Sequence, residues 1–148
     1  MAFKFEVKFD AKGLESNLSD RFGEGSDAQY EWSRIVYDGS RKYMPMVTSN
    51  FINISYAQSE PLFDQGELVY SGPMGHYLWN GELYVDPETK SAYANRGVTK
   101  IKDPQGRQLD FNKELNPLAT ARWTEAAAND NYSAWVNDLQ GMIDKGKI

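Results

Sequence analysis

Apolar and polar residues alternate strictly at the start of the chain: Phe3, Phe5, Val7 and Phe9 are separated by Lys4, Glu6, Lys8 and Asp10. A period of two sends the two sets to opposite faces, so this stretch is expected to form a strand with its apolar face on the core. Residues 11–21 allow a short helix that stops around Gly23 and Gly25. The period then changes. Ala28, Trp32, Ile35, Val36, Gly39 and Tyr43 fall on one stripe of a helix. Ser26 followed by Gln29 has the spacing of a capping box, and Pro45 disfavours helical geometry in the residue before it. The spacing predicts a helix over 27–41 whose stripe carries Trp32 against Phe3, Phe5 and Phe9.

Further along, Thr48 is placed to cap a short helical turn reaching Phe51, after which Ile52, Ile54 and Tyr56 alternate as a strand would. Residues 62–85 read as two or three strands. Asp64-Gln65-Gly66 and Asn80-Gly81 are turn signals. Asn-Gly between Tyr77-Leu78-Trp79 and Leu83-Tyr84-Val85 is a hairpin signal. Periodicity then fades into an extended polar loop at about 86–114, of a length that often marks function or contact with a partner. Asn116-Pro117 offers a cap and a first helical position. Tyr132, Trp135, Val136, Leu139, Met142 and Ile143 carry helical spacing to the C-terminal end, with Asn129-Asp130-Asn131 as a kink or second cap.

Composition narrows the classes. A length of 148 residues suits one domain spanning 1–148, and 41% hydrophobic with 14% aromatic residues suffices for a packed core. A net charge of −5 lacks the basic excess of a general nucleic-acid binder. The acids are also clustered. Glu60, Asp64, Glu67, Glu82, Asp86 and Glu88 lie in a stretch, 43–89, that holds no Lys or Arg. Such a stretch suits first an ordinary solvated face and, as the functional reading, a surface that repels polyanions. The absence of cysteine removes disulfides and thiolate metal sites. No apolar run approaches ~18 residues and no signal peptide opens the chain, so a soluble protein made in the cytosol, with no membrane span, is expected.

The chemistry-bearing residues form no constellation in the sequence. His76 is the only histidine, no nucleophile elbow or phosphate loop occurs, and Asp86 and Glu88 bracket a proline as turn residues do. No catalytic residue, metal site or cofactor is expected. The strongest local feature is aromatic: His76-Tyr77-Leu78-Trp79, with Tyr84. It suits the core of a hairpin, an interface anchor, or a platform for sugar or single-stranded nucleic acid. Scarce neighbouring Lys and Arg disfavour the nucleic-acid version.

Three blocks carry a family resemblance. Residues 43–55, YMPMVTSNFINIS, resemble a motif of phage head–tail junction proteins, in which an amphipathic helix ends in an apolar-Pro-apolar step followed by Thr-Gly-Asn-Leu and a Ser. Pro45, Thr48, Asn50 and Ser55 match, while Val47, Ser49 and Phe51 replace the usual Asp, Gly and Leu. Residues 71–98, with their WNGELYVDPETK core, resemble the Gly-Pro segment and Tyr-Asn-Gly-Lys-aromatic-Val-Asp-Pro-Glu-Thr-Gly run of the minor capsid proteins of phages infecting Gram-positive bacteria. NPLATARWTEAA, residues 116–127, is similar to a third block, Asn-Pro-Gln-Ala-x-x-x-Trp-x-Glu-x-Ala.

The resemblance implies an α+β fold: a small, mostly antiparallel sheet with a long amphipathic helix packed on it, plus a C-terminal helix. It implies no catalysis. It implies a structural subunit of the head–tail connector (neck) ring of a virion, similar to the tail-completion neck proteins of long-tailed phages. Such a ring is a homo-oligomer between neighbouring connector and tail-terminator proteins, and DNA passes through it without specific binding. On that reading His76, Tyr77, Trp79, Tyr84, Arg96 and Lys100 are candidates for subunit contact. Some of Glu60, Asp64, Glu67, Glu82, Asp86 and Glu88 are candidates for the channel wall, and Pro45, Thr48 and Asn50 for the family turn. The alternatives are a tail-terminator or tail-completion protein and, in another class, a small carbohydrate-binding module on Tyr77, Trp79 and Tyr84.

Overall fold

The helix expected over 27–41 forms over Asp27–Arg41 and is the element around which the others gather. The computed structural model describes residues 2–4, 22–45, 49–70 and 72–148. In chain order the elements are β1 (Ala2–Lys4), α1 (Asp27–Arg41), α2 (Ser49–Ser59), a 3₁₀ helix (Glu60–Gln65), β2 (Glu67–Val69), α3 (Gly72–Asn80), β3 (Tyr84–Val85), β4 (Ile101–Lys102) and α4 (Trp123–Asp144). The fold is α+β. β1 pairs antiparallel with β2, Phe3 opposite Leu68, and β3 pairs antiparallel with β4, Tyr84 opposite Lys102. The start of the N-terminal strand is therefore as expected; the rest of it, and the short helix expected over 11–21, lie outside the described residues. Among the described residues no helix is long and apolar enough to cross a membrane.

α1 packs α4 on one side and the 3₁₀ helix and β2 on the other. Ser26 caps it, its hydroxyl accepting from the Gln29 N–H at 3.1 Å. Two burial stripes are needed for two neighbours, and hydropathy shows only one of them. Ile35, Val36 and Tyr43 are buried as expected, but so are Gln29, Ser33, Tyr37 and Ser40. The polar members are satisfied at close range. Ser33 Oγ bonds the carbonyls of Gln29 (3.0 Å) and Phe63 (2.8 Å), and Ser40 Oγ that of Val36 (2.7 Å). The small Ser33 side chain lets the 3₁₀ helix approach, and both hydroxyls are themselves matched.

Trp32 is half-buried, and its ring meets Tyr132 of α4 edge-on at 6.0 Å. The contact expected with Phe3, Phe5 and Phe9 involves side chains outside the described residues. The close approach of α1 and α4 falls instead at Gly39. A Cβ there would overlap the buried Trp135 indole ring. Gly39→Ala is expected to destabilise the protein by about 1–3 kcal/mol, since the ring must move to admit a methyl group. Thermal unfolding checks it: a melting temperature equal to wild type would show that the α1–α4 crossing has slack.

Three expectations are corrected. The alternating Ile52, Ile54 and Tyr56 are not a strand; they belong to α2, which buries Ile52, Ser55 and Ser59 at helical spacing. Two of those three are serines, so an apolar-only pattern shows a period of two where the backbone has 3.6. Second, Tyr77-Leu78-Trp79 is not a hairpin arm but the end of α3. The Gly81 N–H donates to the Leu78 carbonyl at 3.3 Å and the Glu82 N–H to the Tyr77 carbonyl at 3.2 Å, with Gly81 at φ 67°. That is a Schellman cap, and it needs glycine for the same left-handed backbone that an Asn-Gly hairpin turn would use. Third, Asn116 does not open the last helix. α4 begins at Trp123, behind Arg122 at φ 51°, and runs unbroken through Asn129-Asp130-Asn131.

Candidate functional site

The outward side of α3 and the loop that follows it enclose a groove of about 530 Å³, lined by Tyr77, Leu78, Leu83, Tyr84, Lys100 and Leu109 among others. Each wall has a local cause. The Gly81 cap turns the chain back so that Leu83 and Tyr84 run beside the last turn of α3. The loop is then stitched to this corner: the Asp103 N–H donates to the Leu83 carbonyl at 2.9 Å, and the Leu109 N–H to that of Gly81 at 2.9 Å. Tyr77 and Tyr84 meet edge-on at 4.4 Å, and His76 lies edge-on to Tyr77 at 5.6 Å. Tyr77 remains 37% exposed, so its face is open to a binding partner.

The polar loop is held by two aspartates. Asp86 accepts the N–H groups of Glu88 (2.8 Å) and Thr89 (3.0 Å), which hold its carboxyl below the usual carboxylate range. Asp103 is held low by the Arg107 guanidinium at 2.7 Å and by the N–H groups of Gln105 and Arg107. Arg107 also donates to the Lys90 carbonyl at 2.8 Å, which ties the two turns together. On the rim, Glu82 pairs with Lys102 at 2.8 Å, lowering the carboxyl and raising the ammonium. The Lys100 ammonium donates to the Ala92 carbonyl.

Of the six residues expected at a subunit contact, Tyr77, Tyr84 and Lys100 line this one groove, and His76 adjoins it. Arg96 is exposed on the loop. Trp79 is a correction: at 3% exposure it is core, stacked on Tyr70 and edge-on to Trp123 at 4.9 Å. A sugar platform on Tyr77, Trp79 and Tyr84 therefore loses its tryptophan. Leu83, Thr99 and Leu109 were missed as groove residues; the two leucines, apolar beside or within a polar loop, were the available signal.

The six acidic residues do not act alike. Asp86 is 8% exposed and binds backbone, so it is corrected as a wall residue. Glu82 is neutralised by Lys102, a cation that lies outside the 43–89 stretch. Glu60 accepts the Tyr30 hydroxyl at 2.8 Å. Asp64 and Glu67 are half-buried and Glu88 is exposed. Pro45 is buried after α1, Asn50 is exposed in the first turn of α2, and Thr48 lies outside the described residues.

The three blocks of the family resemblance meet in space. Asn116 Nδ2 donates to the carbonyls of Arg41 (3.1 Å) and Met44 (2.7 Å), capping the end of α1 from another part of the chain. Tyr43 Oη donates to Asp130 at 2.7 Å and accepts from Asn131 at 3.2 Å. The Arg122 N–H donates to the Trp79 carbonyl at 2.9 Å. Trp123, fully buried, meets Phe51 and Trp79 edge-on. No family model, curated protein or solved structure matches this chain.

Proposed function

We propose that this protein is a structural subunit of the head–tail connector (neck) ring of a tailed phage, of the minor capsid protein kind found in phages of Gram-positive bacteria. One observation carries the reading: the three blocks that resemble that family are the segments that cap and pack one another. Asn116 and Trp123, which match the third block, then act as a framework and not as catalytic groups. On this reading the ring joins the capsid portal to the tail and lets the genome pass. Glu60, Asp64, Glu67 and Glu88 remain candidates for an inner wall that repels DNA over about a Debye length, ~8 Å at physiological salt. Its partners are copies of itself and the adjoining connector and tail-terminator proteins.

The test uses the phage whose genome encodes the chain. Antibody raised against the purified protein should label intact virions at the head–tail junction under electron microscopy. Removing the coding sequence should give full heads and separate tails of normal length. Labelling elsewhere, or intact particles without the gene, would overturn the proposal. Tails of irregular length would point instead to a tail terminator.

A further inference from the structure

We infer that the aromatic groove receives the outer stripe of α4 from a second copy of this chain, in a head-to-tail contact. The choice of a second copy rests on the ring reading above. The surfaces themselves are independent of it. The α4 stripe consists of Glu125, Asn129, Tyr132, Val136, Gln140 and Asp144, which recur three or four residues apart and are all exposed. Its centre is apolar, with Tyr132 57% and Val136 41% exposed, while Ala127, Trp135 and Leu139 turn inward. Its two ends are carboxylates.

The two surfaces are complementary in charge. The stripe holds Glu125 and Asp144 and no Lys or Arg, while Asp130, also on α4, is taken up by the Tyr43 hydroxyl. Residues 90–102, which supply Ala92, Thr99 and Lys100 to the groove, hold Lys90, Arg96, Lys100 and Lys102 and no Asp or Glu. Lys102 is matched by Glu82. The ammonium groups of Lys90 and Lys100 donate to the carbonyls of Pro87 and Ala92, and Lys90 also helps to hold the Asp86 carboxyl low. Among the described residues neither they nor Arg96 form an ion pair with a carboxylate. Glu125 is shared with Arg122 at 3.1 Å, on a pair that is largely exposed. A groove of this size takes a few side chains, and its tyrosine pair is the kind of surface that anchors an interface. Groove and stripe share no residue, so in the head-to-tail arrangement each copy engages two different neighbours and the contact is heterologous. Repeated about an axis, it closes a ring or extends a filament.

The absence of cysteine makes the contact testable by cross-linking. Thr99→Cys in the groove and Val136→Cys on α4 are made in separate full-length chains, mixed at about millimolar concentration, and treated with a short bismaleimide. The mixture should give a cross-linked dimer, and a chain carrying both cysteines should give a ladder. Each single-cysteine chain alone should stay monomeric. Adding Lys100→Glu to the Thr99→Cys chain should cut the yield several-fold, as should raising the salt. Far-ultraviolet circular dichroism of each variant checks that it is folded. No dimer from folded chains, or equal dimer from Val136→Cys alone, overturns the inference. Failure here with junction labelling intact rejects this surface pair and spares the ring; cross-linking without junction labelling does the reverse.

Discussion

Replacing Trp123 with alanine is expected to cost about 3–5 kcal/mol, enough to leave much of the protein unfolded at physiological temperature. Trp123 is fully buried at the first position of α4. Its indole lies edge-on to Tyr70 and to Trp79, both at 4.9 Å, and to Phe51 at 6.0 Å. One ring therefore joins α2, the residue after β2, α3 and α4, and truncation would open a cavity that four elements cannot close together. Edge-on aromatic contacts add to the lost area, about 0.5–1.5 kcal/mol each. Trp32→Ala provides the comparison. That ring is half-buried and meets Tyr132 at the surface of α4, so its loss should cost distinctly less. Urea unfolding of both variants decides the matter. If Trp32→Ala proves the more damaging, the core is centred elsewhere.

Alkaline pH should unfold the protein cooperatively. The Tyr37 and Tyr70 hydroxyls are fully buried; burial pushes Tyr70 up to about 12 and Tyr37 higher still. The hydrogen bond to Glu60 is the main cause that raises Tyr30 to about 12, and that to Asp130 raises Tyr43. An unfolded chain releases these protons near pH 10, while the folded chain keeps them. The stabilisation is thus complete below pH 10 and is lost as pH rises toward the folded values. Each fully buried tyrosine removes about 1.4 kcal/mol per pH unit over that interval, so Tyr37 and Tyr70 together remove roughly 3. Against a total of about 5–15 kcal/mol, a protein near the lower end of that range should reach its unfolding midpoint at about pH 12. The share of tyrosinate absorbance that comes from the buried rings should then change together with circular dichroism. Tyr70→Phe, which keeps the ring and removes the titrating group, should make the alkaline loss less steep. A smooth titration of tyrosines with unchanged circular dichroism would contradict the burial of these hydroxyls.

By itself the sequence determined the elements whose pattern is local. α1 was legible because its cap, its stripe and its stop lie within 20 residues, and the loop over 86–114 because nothing in it repeats. The turn at Gly66 and the chain reversal at Gly81 were legible for the same reason: at both, glycine marks a left-handed backbone, φ 74° and 67°. What glycine cannot say is which element precedes it, so the Schellman cap of α3 read as a hairpin. α2 was hidden because its buried positions include Ser55 and Ser59, and a buried serine is indistinguishable from a solvated one until its partner is known. For Ser59 that partner is Val69, whose N–H and carbonyl it bonds at 2.8 and 3.0 Å. The site divides in the same way. That Tyr77, Tyr84 and Lys100 are surface-active residue types is a property of the sequence. That they line one groove, that Trp79 turns inward, and that Lys102 neutralises Glu82 are results of the tertiary structure. They depend on where the Gly81 reversal and the Asp103–Leu83 hydrogen bond bring distant segments, and a contact between distant segments leaves no period in either one.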